Sequence, residues 1–360
     1  MGALGGILVG VAALALGAYR VMIGLKPAVA PPGIGDTARA EVAALEGRLM
    51  DHVRVLASRI GERNLTRPPA LRAAAEYIRA IWASQGFVVG EEAFEVGGQR
   101  AVNLVAEQKG AARSGAVVLV GAHYDSVVGS PGANNTATGV ALLLELSRAL
   151  GGEALARTVR FVAHVNEEPL HFMTEGMGSL VHARRARRRG DHIVAMLSLE
   201  TLGYYSSAPG SQRYPFPFGA FYPDTGNFLA VVGNLRSRGL VVDFLRHFMA
   251  ASDFPVEGVA TLRTDPRHSL VRSLGVLGGE LPRPHAHGHR ALPFSRISWK
   301  GRPARTGHRG RVRLGSARNH RGGSLPGCEA LTVADNANAP PGCRLPNGRR
   351  SWAGRGSLDS

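Results

Sequence analysis

Apolar positions recur with a helical period over residues 37–60 and again over 69–85, where Gly86 stops the run, so two amphipathic helices are expected early in the chain. A set of short strands follows. Residues 116–122 then form a nearly continuous apolar run, as a strand buried on both faces requires, and residues 160–165 and 194–199 repeat it. Residues 139–150 and 177–189 carry helical spacing between these runs. Strands alternating with helices predict an α/β fold with a mostly parallel, mixed sheet covered on both faces. Ligands of such sheets bind beyond the carboxyl ends of the strands, where His123, Glu167 and Glu200 fall.

The first 25 residues break this pattern. Met1 to Tyr19 is apolar or glycine-rich without a charge, Arg20 interrupts, and Val21 to Leu25 continues before Lys26 and the breaker Pro31-Pro32. Residues 1–25 are expected to form an uncleaved transmembrane helix, and 26–37 a linker. Because Arg20 and Lys26 follow the segment, the positive-inside rule places the following domain in the cytoplasm.

Composition changes the picture mainly at the other end. The 360 residues allow one large α/β domain with appendages, and the formal net charge is +16. Residues 261–360 hold 17 Arg and 1 Lys against 5 Asp or Glu, so most of the surplus belongs to this tail. Arg, Gly, Pro and His dominate it with little periodicity, and it is expected to be irregular. The arginines have no aromatic interleaving, which argues against specific nucleic-acid recognition. Cys328 and Cys343 both lie there, so residues 1–260 hold no disulfide.

The chemistry concentrates at strand ends. His123-Tyr124-Asp125 closes one apolar run, and Glu167-Glu168 closes another. Zinc takes imidazole and carboxylate ligands converging from separate strands, with an open position for water and a carboxylate to accept its proton. Two adjacent glutamates on extended backbone can divide those tasks.

The residues 121–126 (Gly-Ala-His-Tyr-Asp-Ser), 131–139 (Pro-Gly-Ala-Asn-Asn-Thr-Ala-Thr-Gly), 166–168, 177–179 and 198–201 together resemble the co-catalytic di-zinc aminopeptidases, metallopeptidase family 28, with glutamate carboxypeptidases and glutaminyl cyclases as relatives. The resemblance covers residues 38–260 and implies a zinc exopeptidase fold in an extracytoplasmic setting, against the charge rule. It further implies His123 and Glu168 as zinc ligands, Glu200 as a ligand to the other zinc, Glu167 as general base and Asp125 as the carboxylate that orients the ligands. The activity implied is hydrolysis of N-terminal peptide bonds.

Two departures qualify that expectation. The position where the family has a metal-bridging aspartate is Asn135, and a neutral amide cannot bridge as an anion. The family's Trp-Ser-Asp-His-Trp motif and its last histidine ligand are absent after Ala260. One permitted codon choice for residues 267–279, read from its second nucleotide, encodes GIPWSDHWAFWE, and the same offset in residues 282–293 gives PALMLTDTAPF. A frameshift near Ala260 or Thr261 is therefore expected, with the run His285-Ala286-His287-Gly288-His289 as incidental. The alternative to an impaired peptidase with one zinc or none is an inactive family member that serves as an interaction domain.

Overall fold

The computed structural model describes residues 36–214 and 218–261, together with Gly17, Met22–Ile23 and Ser273–Gly278. All of these lie in the first of the chain's two units, residues 1–304. The helix expected over residues 1–25 and most of the tail fall outside the described residues, among which no helix is long and apolar enough to cross a membrane. Met22–Ile23, inside the segment expected to span a membrane, instead forms a short strand, β1.

The early helix ends sooner than its period suggests. Helix α1 (Asp36–Val53) passes into a π-helical turn, Arg54–Ile60, which closes at Gly61 with φ 81°. Helix α2 (Pro68–Ser84) begins with prolines where the missing N–H costs nothing. It buries Leu71, Ala74, Ala75, Ile78 and Trp82 along one stripe, and the Trp82 indole donates to Ser147 Oγ at 3.0 Å. Removing a side chain such as Ile78 from water contributes about 1.5–3 kcal/mol.

The next strands are β2 (Gly90–Val96) and β3 (Gln99–Gln108), a hairpin turned by Gly97 and Gly98 at φ 56° and 74°. Then come β4 (Arg113–His123), α3 (Thr138–Leu150), β5 (Arg157–His164), α4 (Gly178–Arg189) and β6 (His192–Glu200). The chain continues through β7 (Leu229–Asn234), α5 (Arg238–Ala251), β8 (Val256–Thr261) and β9 (Ser273–Gly278).

These strands form one sheet in the order β1-β8-β7-β9-β6-β4-β5-β3-β2. It is mixed, as expected, but less parallel than expected. Parallel pairing joins β5, β4, β6 and β9, and separately β7 and β8; the flanking pairs are antiparallel. Six residues of the segment expected to lie beyond the domain, Ser273–Gly278, stand inside the sheet between β6 and β7. Their apolar, glycine-containing composition suits a covered strand and was masked by the basic residues around it.

Parallel pairing is what builds the site. Register places His123 beside His164 and Gly121 beside Ser198, so β4, β5 and β6 end along one rim. Helix α3 sits against that rim because Gly139 lacks a side chain: a Cβ there would stand 2.4 Å from the Leu199 carbonyl oxygen.

Candidate metal centre

His123 ends β4 with its ring buried, and its two nitrogens face two carboxylates. Nε2 stands 3.3 Å from Glu200 Oε2, and Nδ1 stands 3.3 Å from Asp125 Oδ1. Burial alone would lower the imidazole pKa, but Glu200 and Asp125 outweigh it and hold it well above its ordinary value. This corner of the fold therefore attracts positive charge. Ser198 Oγ donates to the other Glu200 oxygen at 3.0 Å, which fixes the carboxylate.

Asp125 joins the strand ends. Its Oδ1 accepts the Glu167 N–H at 3.2 Å and its Oδ2 accepts the Glu168 N–H at 3.1 Å. Burial acts to raise its pKa, yet His123 and these amides bring it below the usual value. The turn it holds is strained, with Asn166 just before Glu167 at φ 63°, and the end of β6 is strained too, with Thr201 just after Glu200 at φ 43°. Left-handed backbone at these positions turns the chain sharply as each strand ends.

The adjacent glutamates diverge. Glu168 is buried, and its Oε1 accepts a hydrogen bond from Asn135 Nδ2 at 2.6 Å. Glu167 turns toward the start of α4, accepting Ser179 N–H at 2.6 Å and Ser179 Oγ–H at 2.8 Å. Burial pushes the Glu167 carboxyl up to about 7, against the lowering effect of the Ser179 bonds.

The expected site residues thus gather as two pairs, His123 with Glu200 and Asn135 with Glu168, linked through Asp125. Among the described residues, no group of three or more His, Cys, Asp or Glu side chains is arranged to hold a metal ion. Spacing separates the pairs. Tetrahedral zinc with ligands at about 2.0–2.2 Å sets neighbouring ligand atoms about 3.4 Å apart. His123 Nε2 and Glu200 Oε2, at 3.3 Å, fit that bite. Asn135 and Glu168, at 2.6 Å, are in direct hydrogen-bond contact and leave no room for an ion between the bonded atoms. Of the two pairs, His123 with Glu200 keeps a ligand-like spacing and Asn135 with Glu168 does not.

Residues 103–220 match the profile of Peptidase family M28. This stretch of the chain belongs to peptidase family M28. His123, Asp125, Asn135, Glu167, Glu168 and Glu200 all fall inside the M28 region. The chain is 36% identical over 218 residues to the uncharacterized protein YfbL of Escherichia coli K12, covering 58% of this chain and 66% of YfbL. It is 44% identical over 52 residues to aminopeptidase YwaD of Bacillus subtilis, 14% of this chain and 11% of that protein. The chain therefore spans just under two thirds of the length of YfbL and about a tenth of that of YwaD. Among solved structures, BSAP, a zinc aminopeptidase from Bacillus subtilis, is similar with a TM-score of 0.48 and 13% identity, covering 65% of this chain and 84% of that one.

Sequence reasoning missed one residue packed against the M28 site. Arg63 is fully buried and makes no ion pair within 4.0 Å among the described residues, its guanidinium being held by carbonyls and one hydroxyl. A signal was available, because Gly61-Glu62-Arg63-Asn64 places a charge immediately after an apolar helical run.

Proposed function

We propose that this chain is a metallopeptidase-type protein whose site takes a single zinc ion, held by His123 and Glu200, for hydrolysis of an amide bond at a peptide N-terminus. The observation that carries this reading is the ligand-like 3.3 Å spacing of His123 Nε2 and Glu200 Oε2 at the rim of an M28 sheet. A zinc ion bound there would polarise a scissile carbonyl and acidify water.

The protein's own residues would do the rest. Glu167, with its carboxyl pushed up to about 7, is poised near neutrality to take a proton from water and return it to a leaving amine. Ser179 holds Glu167 in place at the start of α4. Asp125 orients His123 through Nδ1 and clamps the Glu167-Glu168 backbone.

Asn135 supports reduced activity. It stands where the family's bridging aspartate is expected, and it occupies Glu168 with a hydrogen bond. The same observation favours the second reading, a family member that binds peptide or protein without hydrolysing it. The apolar stretch ahead of β1 we read as a membrane anchor, on its composition, and the family resemblance, against the charge rule, favours a domain outside the cytoplasm; protease protection in sealed vesicles checks this.

The test combines calorimetric zinc titration with hydrolysis of aminoacyl p-nitroanilides. One zinc per chain, lost in His123→Ala and Glu200→Ala, with turnover weak or absent, is the expected result. Two zinc ions with robust, chelator-sensitive turnover would overturn the single-ion reading. No zinc at all would leave only the binding domain.

A further inference from the structure

The segment Glu62-Arg63-Asn64 is fastened to the site loop by both side-chain and backbone hydrogen bonds. Arg63 Nε donates to the Tyr124 carbonyl at 2.7 Å. Nη1 donates to the carbonyls of Leu56, Gly61 and Pro131 at 3.1, 3.1 and 2.5 Å, and Nη2 donates to Gly132 O at 3.2 Å and Thr136 Oγ1 at 2.9 Å. The backbones join as well: Arg63 N–H donates to Ser126 Oγ at 3.0 Å, and Ser126 N–H donates to Arg63 O at 2.8 Å. On either side, Asn64 Nδ2 donates to Ser126 O, and Gly129 N–H donates to Glu62 Oε1, both at 3.1 Å.

Two features connect this clasp to the chemistry. Thr136, which receives the guanidinium, follows Asn135, and its hydroxyl also donates to the Asp125 carbonyl at 3.1 Å. Asn135 itself breaks helical geometry, with φ −95° and ψ 85°, so its own turn does not fix its orientation. The loop is packed too tightly to settle elsewhere. A Cβ on Gly132, whose φ is 59°, would stand 2.7 Å from Asn135 O, 2.8 Å from Ser126 Cβ and 3.4 Å from Arg63 Nη2.

A buried guanidinium is costly to desolvate, and here carbonyls rather than a carboxylate ion pair offset that cost, with Asp125 the anion acting on it from a distance. Only a planar fork can serve acceptors lying in several directions at once; an ammonium has three donors on one atom. We propose that Arg63 is a positioning residue for the metal centre: its guanidinium locks residues 131–136 onto the end of β4 and so sets Asn135 against Glu168 and Asp125 against His123. This rests on the reading of that centre as a cation site.

The experiment uses the full chain with cobalt(II) as the probe, because its visible absorption reports coordination geometry. Three proteins are compared: wild type, Arg63→Lys and Arg63→Gly, the last with and without free guanidinium well below denaturing concentration. Circular dichroism confirms folding. The expected result is a loss of about 10–100-fold in cobalt affinity in Arg63→Gly with an altered spectrum. Free guanidinium should restore both, and Arg63→Lys should lie between. A folded Arg63→Gly with wild-type affinity and spectrum overturns the proposal. Should that variant fail to fold, Arg63→Lys decides, and an unchanged spectrum and affinity in it counts against the proposal. Should wild type bind no cobalt, the cation reading fails on its own account. Amide exchange then decides on Arg63: acceleration confined to residues 126–137 upholds its role, and uniform acceleration or none refutes it.

Discussion

Asn135 donates its amide to Glu168 across 2.6 Å, so a neutral group meets the carboxylate where an ionised one could not stand unaided. Two carboxylates at that distance must share a proton or have a cation between them. The residue at position 135 thus decides whether Glu168 meets a hydrogen-bond donor or a second anion there.

Asn135→Asp should therefore destabilise the metal-free protein by about 1–3 kcal/mol at pH 8, a fall in Tm of about 3–8 °C. Zinc should recover most of the loss. Thermal unfolding with chelator and with zinc tests this, and equal Tm values for the variant and wild type under chelator would refute it. Peptidase turnover should remain weak in the variant, because the last family histidine is still missing.

Glu167 gives a pH dependence of definite sign. Its folded pKa, raised to about 7 chiefly by burial, lies above its unfolded value, so the folded state holds its proton more tightly. Stability is lost as pH rises from about 4.5 through 7, and the cost is fully present above that range. The side chain is only partly enclosed, which reduces the cost to about 1–2 kcal/mol. Glu167→Gln should match wild type below about pH 4 and exceed it by that amount at about pH 8.5 in metal-free urea titrations. Equal stabilities at pH 8.5 would show that the carboxyl is not desolvated.

The Glu92 carboxylate titrates in the opposite sense. Burial acts to raise its pKa, but His182 at 2.8 Å and Arg189 at 2.9 Å overcome this and hold it at about 2. A depressed pKa stabilises the fold above the unfolded value and loses that contribution as pH falls from about 4.5 toward 2. Glu92→Gln should lower stability by about 2–4 kcal/mol at pH 6. The gap should close in acid, and a gap independent of pH would point to packing instead.

Gly139→Ala probes how the site loop is seated. The new Cβ would meet the Leu199 carbonyl at 2.4 Å, next to Glu200, so the start of α3 must move away from β6. Overpacking of this kind costs about 1–3 kcal/mol. Urea unfolding should show that loss, and zinc affinity should fall with it; a neutral substitution would mean that the helix adapts freely.

Much of this was legible in the sequence, and the boundary is physical. Buried parallel strands announce themselves as apolar runs, so the strands ending at His123 and Glu200 and the helices between them were readable to within a few residues. His123, Asp125 and the two glutamates were readable because their chemistry sits where such strands end. Pairing was not. That Asn135 reaches Glu168, or that Glu167 turns to Ser179, depends on backbone torsions at Asn135 and Asn166 that no composition encodes. Arg63 lies 61 or more residues from several of its carbonyl partners and left only a local hint. Strand β9 was hidden by the basic residues flanking it.

That last strand has a mechanical consequence. Strands β6 and β7 are not paired with each other; each pairs with Ser273–Gly278, one in parallel and the other antiparallel. Six residues act as the spine of an open book whose one leaf carries His123 and Glu200 and whose other leaf is β7, β8 and β1. A chain cut before residue 273 would expose two bare margins at once, each a row of unpaired peptide groups able to recruit a strand from another copy. Loss of this strand, which runs beside Glu200, should thus appear first as turbidity and sedimenting aggregates, before any question of catalysis arises.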